Sequence, residues 1–171
     1  MGKAKLESKY GKPSADGQAL KLLLVDENGS DLEYYAEVLR YLGYDVEPVD
    51  SYVRAASALG RDRFDLVIVD QGSVNFEGRS VLSRAVEVDR HVPVLVLTRA
   101  VDADCCIQAL DAGAYEYVQK PLTTGEVRQL VSDYVKLPSE KLQRDRPYAY
   151  DGALAAVAAS GAGQEPWQKA S

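Results

Sequence analysis

The 171-residue chain is poor in the residues that most often carry redox or metal chemistry, with two cysteines and one histidine. Cys105 and Cys106 are adjacent. That spacing fits neither a C-x-x-C redox motif nor a zinc-ligand pattern, so both read as small helix residues in a reducing compartment. His91, ahead of an apolar run, reads as a surface loop residue at the far end of its strand. No apolar run is long enough to cross a bilayer. The opening segment lacks the apolar core of a secretory signal, and Leu6 stands where a myristoylation motif wants Ser or Thr. A cytoplasmic protein is the expectation. Neither a P-loop nor a G-x-G-x-x-G stretch occurs, which argues against a small nucleotide-binding enzyme. Basic charge is also short, 20 residues against 26 acidic ones, for a formal net charge of -6. That disfavours direct nucleic-acid binding or an anionic membrane surface, and it leaves room for a cation site.

What is present is a regular alternation. "LKLLLV", "DLVIV" and "VPVLVLT" are short continuous apolar runs. "YDVEPV" and "YEYV" are weaker strands. Between them lie "SDLEYYAEVLRYLG", "YVRAASALG", "RSVLSRAVEVD", "ADCCIQALDAG" and "TGEVRQLVSDYVK", with apolar residues at helical spacing. Ser30 with Glu33, and Thr123 with Glu126, suit capping boxes, and Gly43 and Gly113 suit helix stops. Five strand–helix units imply a parallel sheet covered on both faces. The continuous apolar runs belong in its middle. Pro48 puts the second strand at one edge, and the short fifth strand suits the other. The expected order is 2-1-3-4-5, an α/β, (βα)5 flavodoxin-like fold whose ligands bind at the carboxyl ends of strands one and three. Residues 1–18 read as a polar flexible arm, 19–137 as the domain and 138–171 as a low-complexity tail or linker. In that tail "ALAAVAAS" is too short for a stable helix, and Trp167 reads as unstructured.

The strand ends carry the chemistry. Strand one ends in Asp26-Glu27, strand three in Asp70 and strand four in Thr98, and strand five leads into Lys120-Pro121. With the expected order the three acids converge. Two like charges about 4 Å apart repel by about 4 kcal/mol at an effective dielectric near 20, and a hard cation such as Mg²⁺ (or Mn²⁺) would neutralise them. These parts suit phosphoryl transfer to a carboxylate. Asp70 would be the nucleophile, Asp26, Glu27 and Asp70 the metal ligands, Lys120 a point charge for a phosphoryl oxygen, and Thr98 a hydrogen-bond donor. Gly72 would let the backbone carbonyl approach the metal, and Gly78 would release the loop into the third helix. Taken singly, Asp26-Glu27 would suit a helix N-terminus and Tyr117 an ordinary edge-strand tyrosine.

"LLLVDE", "DLVIVD" with Gly78 eight positions beyond Asp70, "PVLVLT" and "GAYEYVQKPL", in order, resemble the receiver domain of two-component response regulators. The resemblance runs from Leu20 to Lys136. It implies phosphorylation of Asp70 by a sensor histidine kinase or phosphotransfer protein, and a phospho-acceptor rather than an enzyme on a separate substrate. It implies Asp26 and Glu27 as the metal-binding pair, Thr98 as the switch hydroxyl, Tyr117 as the switch aromatic and Lys120 as the phosphate-binding lysine. It further implies a cis Lys120-Pro121 bond, and a face of the fourth helix, fifth strand and fifth helix that changes its protein partners, homodimerisation among them. Two positions depart from the pattern. Ser73-Val74 stands where a Met-Pro pair is usual, which should loosen the loop. Arg99 stands where a small residue is usual, either as an exposed bystander or as a modulator of access to Asp70. The alternatives are a phosphorylation-independent adaptor, and the front end of a longer transcriptional regulator.

Overall fold

The computed structural model of the chain describes residues 19–135; the expectations for the arm, the tail and Trp167 lie outside them. Strands and helices alternate in the order β1 (Lys21–Val25), α1 (Gly29–Tyr41), β2 (Asp45–Val49), α2 (Tyr52–Leu59), β3 (Leu66–Asp70), α3 (Arg79–Val88), β4 (Val94–Thr98), α4 (Ala103–Asp111), β5 (Glu116–Gln119) and α5 (Thr124–Val135). The strands form one parallel sheet in the order β2-β1-β3-β4-β5. This is the flavodoxin-like arrangement that the apolar runs predict. Val25 pairs with Val69, Asp70 with Leu97 and Thr98 with Gln119, so the carboxyl ends of four strands stand side by side.

Side chains alternate across a strand, and both faces of this sheet are covered, which explains why β1, β3 and β4 are continuous apolar runs apart from Lys21, Asp70 and Thr98 at their ends. Leu23, Val25, Val67, Val69, Val94 and Val96 join the core beneath α2, α3 and α4. Leu22, Leu24, Leu66, Ile68, Leu95 and Leu97 join the opposite core, beneath α1 and α5. Pro48 lies on edge strand β2, paired only on the Leu24 side, where a missing N–H is tolerated.

Gly43 and Gly113 sit just past α1 and α4 at φ 94° and 103°, the left-handed stop expected of them. Thr123 and Glu126 form the expected capping box: the Thr123 N–H donates to Glu126 Oε2 at 2.7 Å, and the Glu126 N–H to Thr123 Oγ1 at 3.3 Å. The box expected from Ser30 and Glu33 is not the cap of α1. Asn28 caps it instead, accepting from the Asp31 N–H at 3.0 Å. The reason lies one step upstream, where Asp26 Oδ1 accepts the Asn28 N–H at 2.8 Å and fixes that residue at the helix entry.

Gly78 also differs from expectation. Its φ is -59°, open to any residue. What it provides is space, because a Cβ there would lie 2.1 Å from the Asp70 carbonyl oxygen. Gly29, by contrast, has nothing within 4 Å of a Cβ. Gly78→Ala is therefore expected to destabilise the fold by about 1–3 kcal/mol through overpacking, whereas Gly29→Ala stabilises it by up to about 1 kcal/mol through helix propensity. Urea-unfolding midpoints of the two variants check both signs.

Candidate functional site

The side-by-side strand ends bring Asp26, Asp70, Thr98 and Lys120 to one edge of the sheet, beside an open cleft of about 390 Å³. Its lining includes Asp26, Glu27, Tyr52, Asp70, Gly72, Glu77, Arg99 and Lys120. At the centre is the Lys120 ammonium, with its side chain 4% exposed. It donates to Asp26 Oδ2 at 2.8 Å and to Asp31 Oδ2 at 2.8 Å, and lies 2.6 Å from Asp70 Oδ1. Burial alone would favour the neutral amine, but the hydrogen bonds that Lys120 donates to Asp26, Asp31 and Asp70 outweigh it and hold Lys120 above its ordinary pKa. The bond from Lys120 to Pro121 is cis, as the resemblance implies. The next residue is held by α1: Tyr35 Oη accepts from the Leu122 N–H at 3.1 Å, and Tyr34 Oη donates to the Leu122 carbonyl at 3.0 Å.

The third carboxylate on Lys120 is Asp31, not Glu27. Glu27 lines the cleft but is exposed to solvent. Asp31 lies in the first turn of α1, and helix side chains lean toward the N-terminus, so its carboxylate reaches back over the strand ends. That placement, a first-turn acid just after Asp26-Glu27, is the signal that would have found it. Arg99 spans to the same group, with Nε 3.0 Å from Asp31 Oδ2 and Nη2 2.9 Å from Oδ1. Arg99 thus lines the cleft as an exposed ion-pair partner of Asp31.

The loop after Asp70 is tied down despite Val74 in the usual Pro position. Gly72 adopts φ 87°, and its N–H donates to Asp70 Oδ2 at 2.7 Å. Glu77 closes the loop, accepting the Ser73 N–H at 2.7 Å and the Ser73 hydroxyl at 2.6 Å. Phe76, at φ 54° and only 3% exposed, anchors the turn in the core. The looseness expected from the missing Pro is offset by these side-chain bonds. On the β4–β5 side, Thr98 Oγ1 donates to the Ala100 carbonyl at 2.8 Å. Tyr117 is buried, and its hydroxyl donates to Gln71 Oε1. Burial raises the Tyr117 pKa, while the Asp102 N–H and the Thr98 hydroxyl beside it pull it down.

This arrangement of acids, hydroxyl, tyrosine and buried lysine follows one chain pattern, and the sequence profile of the response regulator receiver domain matches residues 22–132. The chain belongs to the response regulator receiver family. It is 33% identical over 113 residues to the probable transcriptional regulatory protein TcrX of Mycobacterium tuberculosis, covering 66% of this chain and 48% of that protein. It is 26% identical over 119 residues to sporulation initiation phosphotransferase F of Bacillus subtilis, covering 70% of this chain and 96% of that one. The chain thus spans about half the length of TcrX and nearly all of the phosphotransferase. Among solved structures, the receiver domain of sensor histidine kinase PA1611 from Pseudomonas aeruginosa, which has a magnesium ion coordinated in its active site cleft, superposes with a TM-score of 0.63 at 25% identity. That match covers 70% of this chain and 99% of the other.

The donor set of this receiver suits a divalent cation. Four carboxylates (Asp26, Glu27, Asp70 and Glu77) and two cations (Arg99 and Lys120) line the cleft, a formal excess of two negative charges. No cage of three or more Asp, Glu, His or Cys side chains occurs among the described residues. Mg²⁺ needs none, since it binds through one or two carboxylates and keeps several waters. His91 lies away from the cleft, in the turn before β4. Cys105 and Cys106 are buried thiols on α4, and burial raises the pKa of both. No helix of the described residues is long and apolar enough to cross a membrane.

The charges have a defined pH behaviour. In metal-free protein the Arg99 hydrogen bond, followed by Lys120, holds Asp31 below its ordinary value of 3.8. Burial holds Asp26 above 3.8, with the Lys120 and Asn28 donors pulling the other way. Asp31 therefore contributes stability that is present above its unfolded pKa and is lost as pH falls through its lower folded value. Asp26 has the opposite sign: its burial penalty fades as pH falls through the raised value. Carboxyl-carbon NMR titration is expected to place Asp31 below 3.8 and Asp26 above it. Arg99→Ala should move Asp31 upward.

Proposed function

We propose that Asp70 accepts a phosphoryl group from a sensor histidine kinase or a phosphotransfer protein, in a reaction that requires Mg²⁺ or Mn²⁺. The observation that carries this is the buried Lys120 ammonium 2.6 Å from Asp70 Oδ1. A cation held so close to a half-buried carboxylate is placed to receive a second anionic group. An Asp70 oxygen attacks the phosphorus of a phosphohistidine. The new O–P bond forms as the P–N bond breaks, and the departing imidazole takes its proton from solvent. Lys120 binds one phosphoryl oxygen. The Thr98 hydroxyl turns from the Ala100 carbonyl to another, and Tyr117 completes the switch beside it.

Asp26, Glu27, Asp70 and the backbone carbonyl of Gly72 would hold the cation, which when bound supplies charge neutralisation for the entering phosphoryl group. Once Asp70 is an acyl phosphate its own carboxyl oxygens carry less negative charge, and Lys120 would bond the phosphoryl group in their place. The face made by α4, β5 and α5 is where the altered structure would meet a downstream protein or a second copy of the chain. The domain acts as a phospho-acceptor that takes part in its own phosphorylation and hydrolysis, not as an enzyme on a separate substrate. Residues 19–137 supply this function. The likeness to sporulation initiation phosphotransferase F supports a phosphorelay role, and the likeness to TcrX supports service as the receiver of a transcriptional regulator.

Incubation with acetyl phosphate and Mg²⁺ is expected to add the mass of one phosphoryl group, labile to hydroxylamine. Asp70→Asn or excess chelator should abolish the gain. A wild-type protein that gains nothing from acetyl phosphate or from an active histidine kinase is instead a phosphorylation-independent adaptor.

A further inference from the structure

The buried polar or charged residues among those described are Asp26, Gln71, Thr98 and Lys120. Three of them belong to the proposed acceptor chemistry. Gln71 does not, yet it is only 3% exposed and both ends of its amide are engaged. Its Nε2 donates to the Ser73 carbonyl at 2.9 Å, and its Oε1 accepts from the Tyr117 hydroxyl. Its backbone is pinned as well: the N–H donates to the Leu97 carbonyl at 2.7 Å, and the carbonyl accepts from the Gly78 N–H at 3.0 Å. The side chain is therefore a fixed strut between the acceptor loop and β5.

The strut continues beyond β5. Tyr117 Oη accepts from the Asp102 N–H at 3.4 Å, and Asp102 caps α4 by accepting the Cys105 N–H at 2.8 Å. Cys105 Sγ then lies 3.5 Å from the Val74 carbonyl, which returns the network to the acceptor loop. Two consecutive loop carbonyls, Ser73 and Val74, are thus bonded toward the start of α4 by a path that meets the Thr98 side chain only at Tyr117. The polarity of the amide matters. Tyr117 has one proton to give and Ser73 offers a carbonyl, so the residue between them needs an acceptor and a donor about one amide apart. An apolar residue would leave the Tyr117 hydroxyl proton buried without its acceptor, at the cost of its desolvation, and would leave the Ser73 carbonyl with the Phe76 N–H alone.

The loop end of the strut is tied to Asp70, whose Oδ2 accepts the Gly72 N–H. A phosphoryl group on Asp70 competes for that donor, so Gly72 and Ser73 must re-seat together. We propose that Gln71 is a positioning residue that transmits this movement through Tyr117 and Asp102 to the N-terminus of α4, so that the acceptor loop acts on the switch tyrosine directly as well as through Thr98. The proposal rests on Asp70 being the acceptor.

Backbone NMR with Mg²⁺ and beryllium trifluoride as the acceptor-site probe tests it. In the wild type, amide shifts are expected at Gly72 and Ser73 and also at Asp102 and Cys105. Gln71→Met keeps the length of the side chain and removes both hydrogen bonds. It should retain the shifts at Gly72 and Ser73, while those at Asp102 and Cys105 are at least halved. Tyr117→Phe cuts the same path from its other end, and the double variant should lose no more than either single one, as expected for partners in one interaction. Full transmission to Asp102 and Cys105 in Gln71→Met, or losses that add in the double variant, overturns the coupling alone. If Gln71→Met does not fold, Tyr117→Phe decides, and undiminished shifts at Asp102 and Cys105 in that variant overturn the coupling. A wild type without shifts at Gly72 and Ser73 overturns the acceptor function, and the coupling with it.

Discussion

The Lys120 ammonium is the constraint on which the rest of this domain depends. A buried cation is tolerated only when its hydrogen bonds and its charge are both answered. Here three carboxylates answer it, from β1, from the first turn of α1 and from the end of β3. Each can reach it only because the sheet runs β2-β1-β3-β4-β5 and all its strands point the same way. Strand order, the capped start of α1 and the Lys120 turn are therefore parts of one electrostatic arrangement. Removing the lysine would leave Asp26, with a side chain only 4% exposed, without its main counter-charge, a kind of loss that typically costs about 3–5 kcal/mol.

The acceptor loop shows how such a site is kept in shape with unusual residues. Val74 cannot restrict the backbone as Pro would. Glu77 compensates by gripping both the amide and the hydroxyl of Ser73, and Gly78 lets α3 begin directly against the Asp70 carbonyl. Stiffness that a ring would have built into one residue is distributed over several side chains. It therefore depends on the ionisation of Glu77, whose Ser73 hydrogen bonds hold its pKa below the ordinary value.

Much of this was legible in the chain. Apolar runs closed by Asp26, Asp70 and Thr98 are local patterns, and the alternation of strands and helices fixes how their ends meet. What escaped were residues whose partners lie far along the sequence. Asp31 looks like an ordinary first-turn acid until the Lys120 turn, 89 residues later, arrives against it. Gln71 looks like a loop residue until Tyr117 meets it from β5. The cap of α1 is ambiguous in the sequence for a different reason. Asn28 and Ser30 are both good cap residues, and the choice between them is made by Asp26, which takes the Asn28 amide. Gly78 reads in the sequence as a conformationally free joint, whereas the fold needs it for room.

The span between Asp26 and Lys120 has a consequence for how the chain is made. The two residues are 94 positions apart, and Lys120 enters the sheet behind the last strand. A ribosome-bound chain that has exposed only β1 through β4 carries Asp26 and Asp70 but has no lysine to set between them. Their mutual repulsion works against closing that edge until β5 has been synthesised and docked. The charge cluster is thus a property of the finished domain, and no partly made chain can present it to a partner.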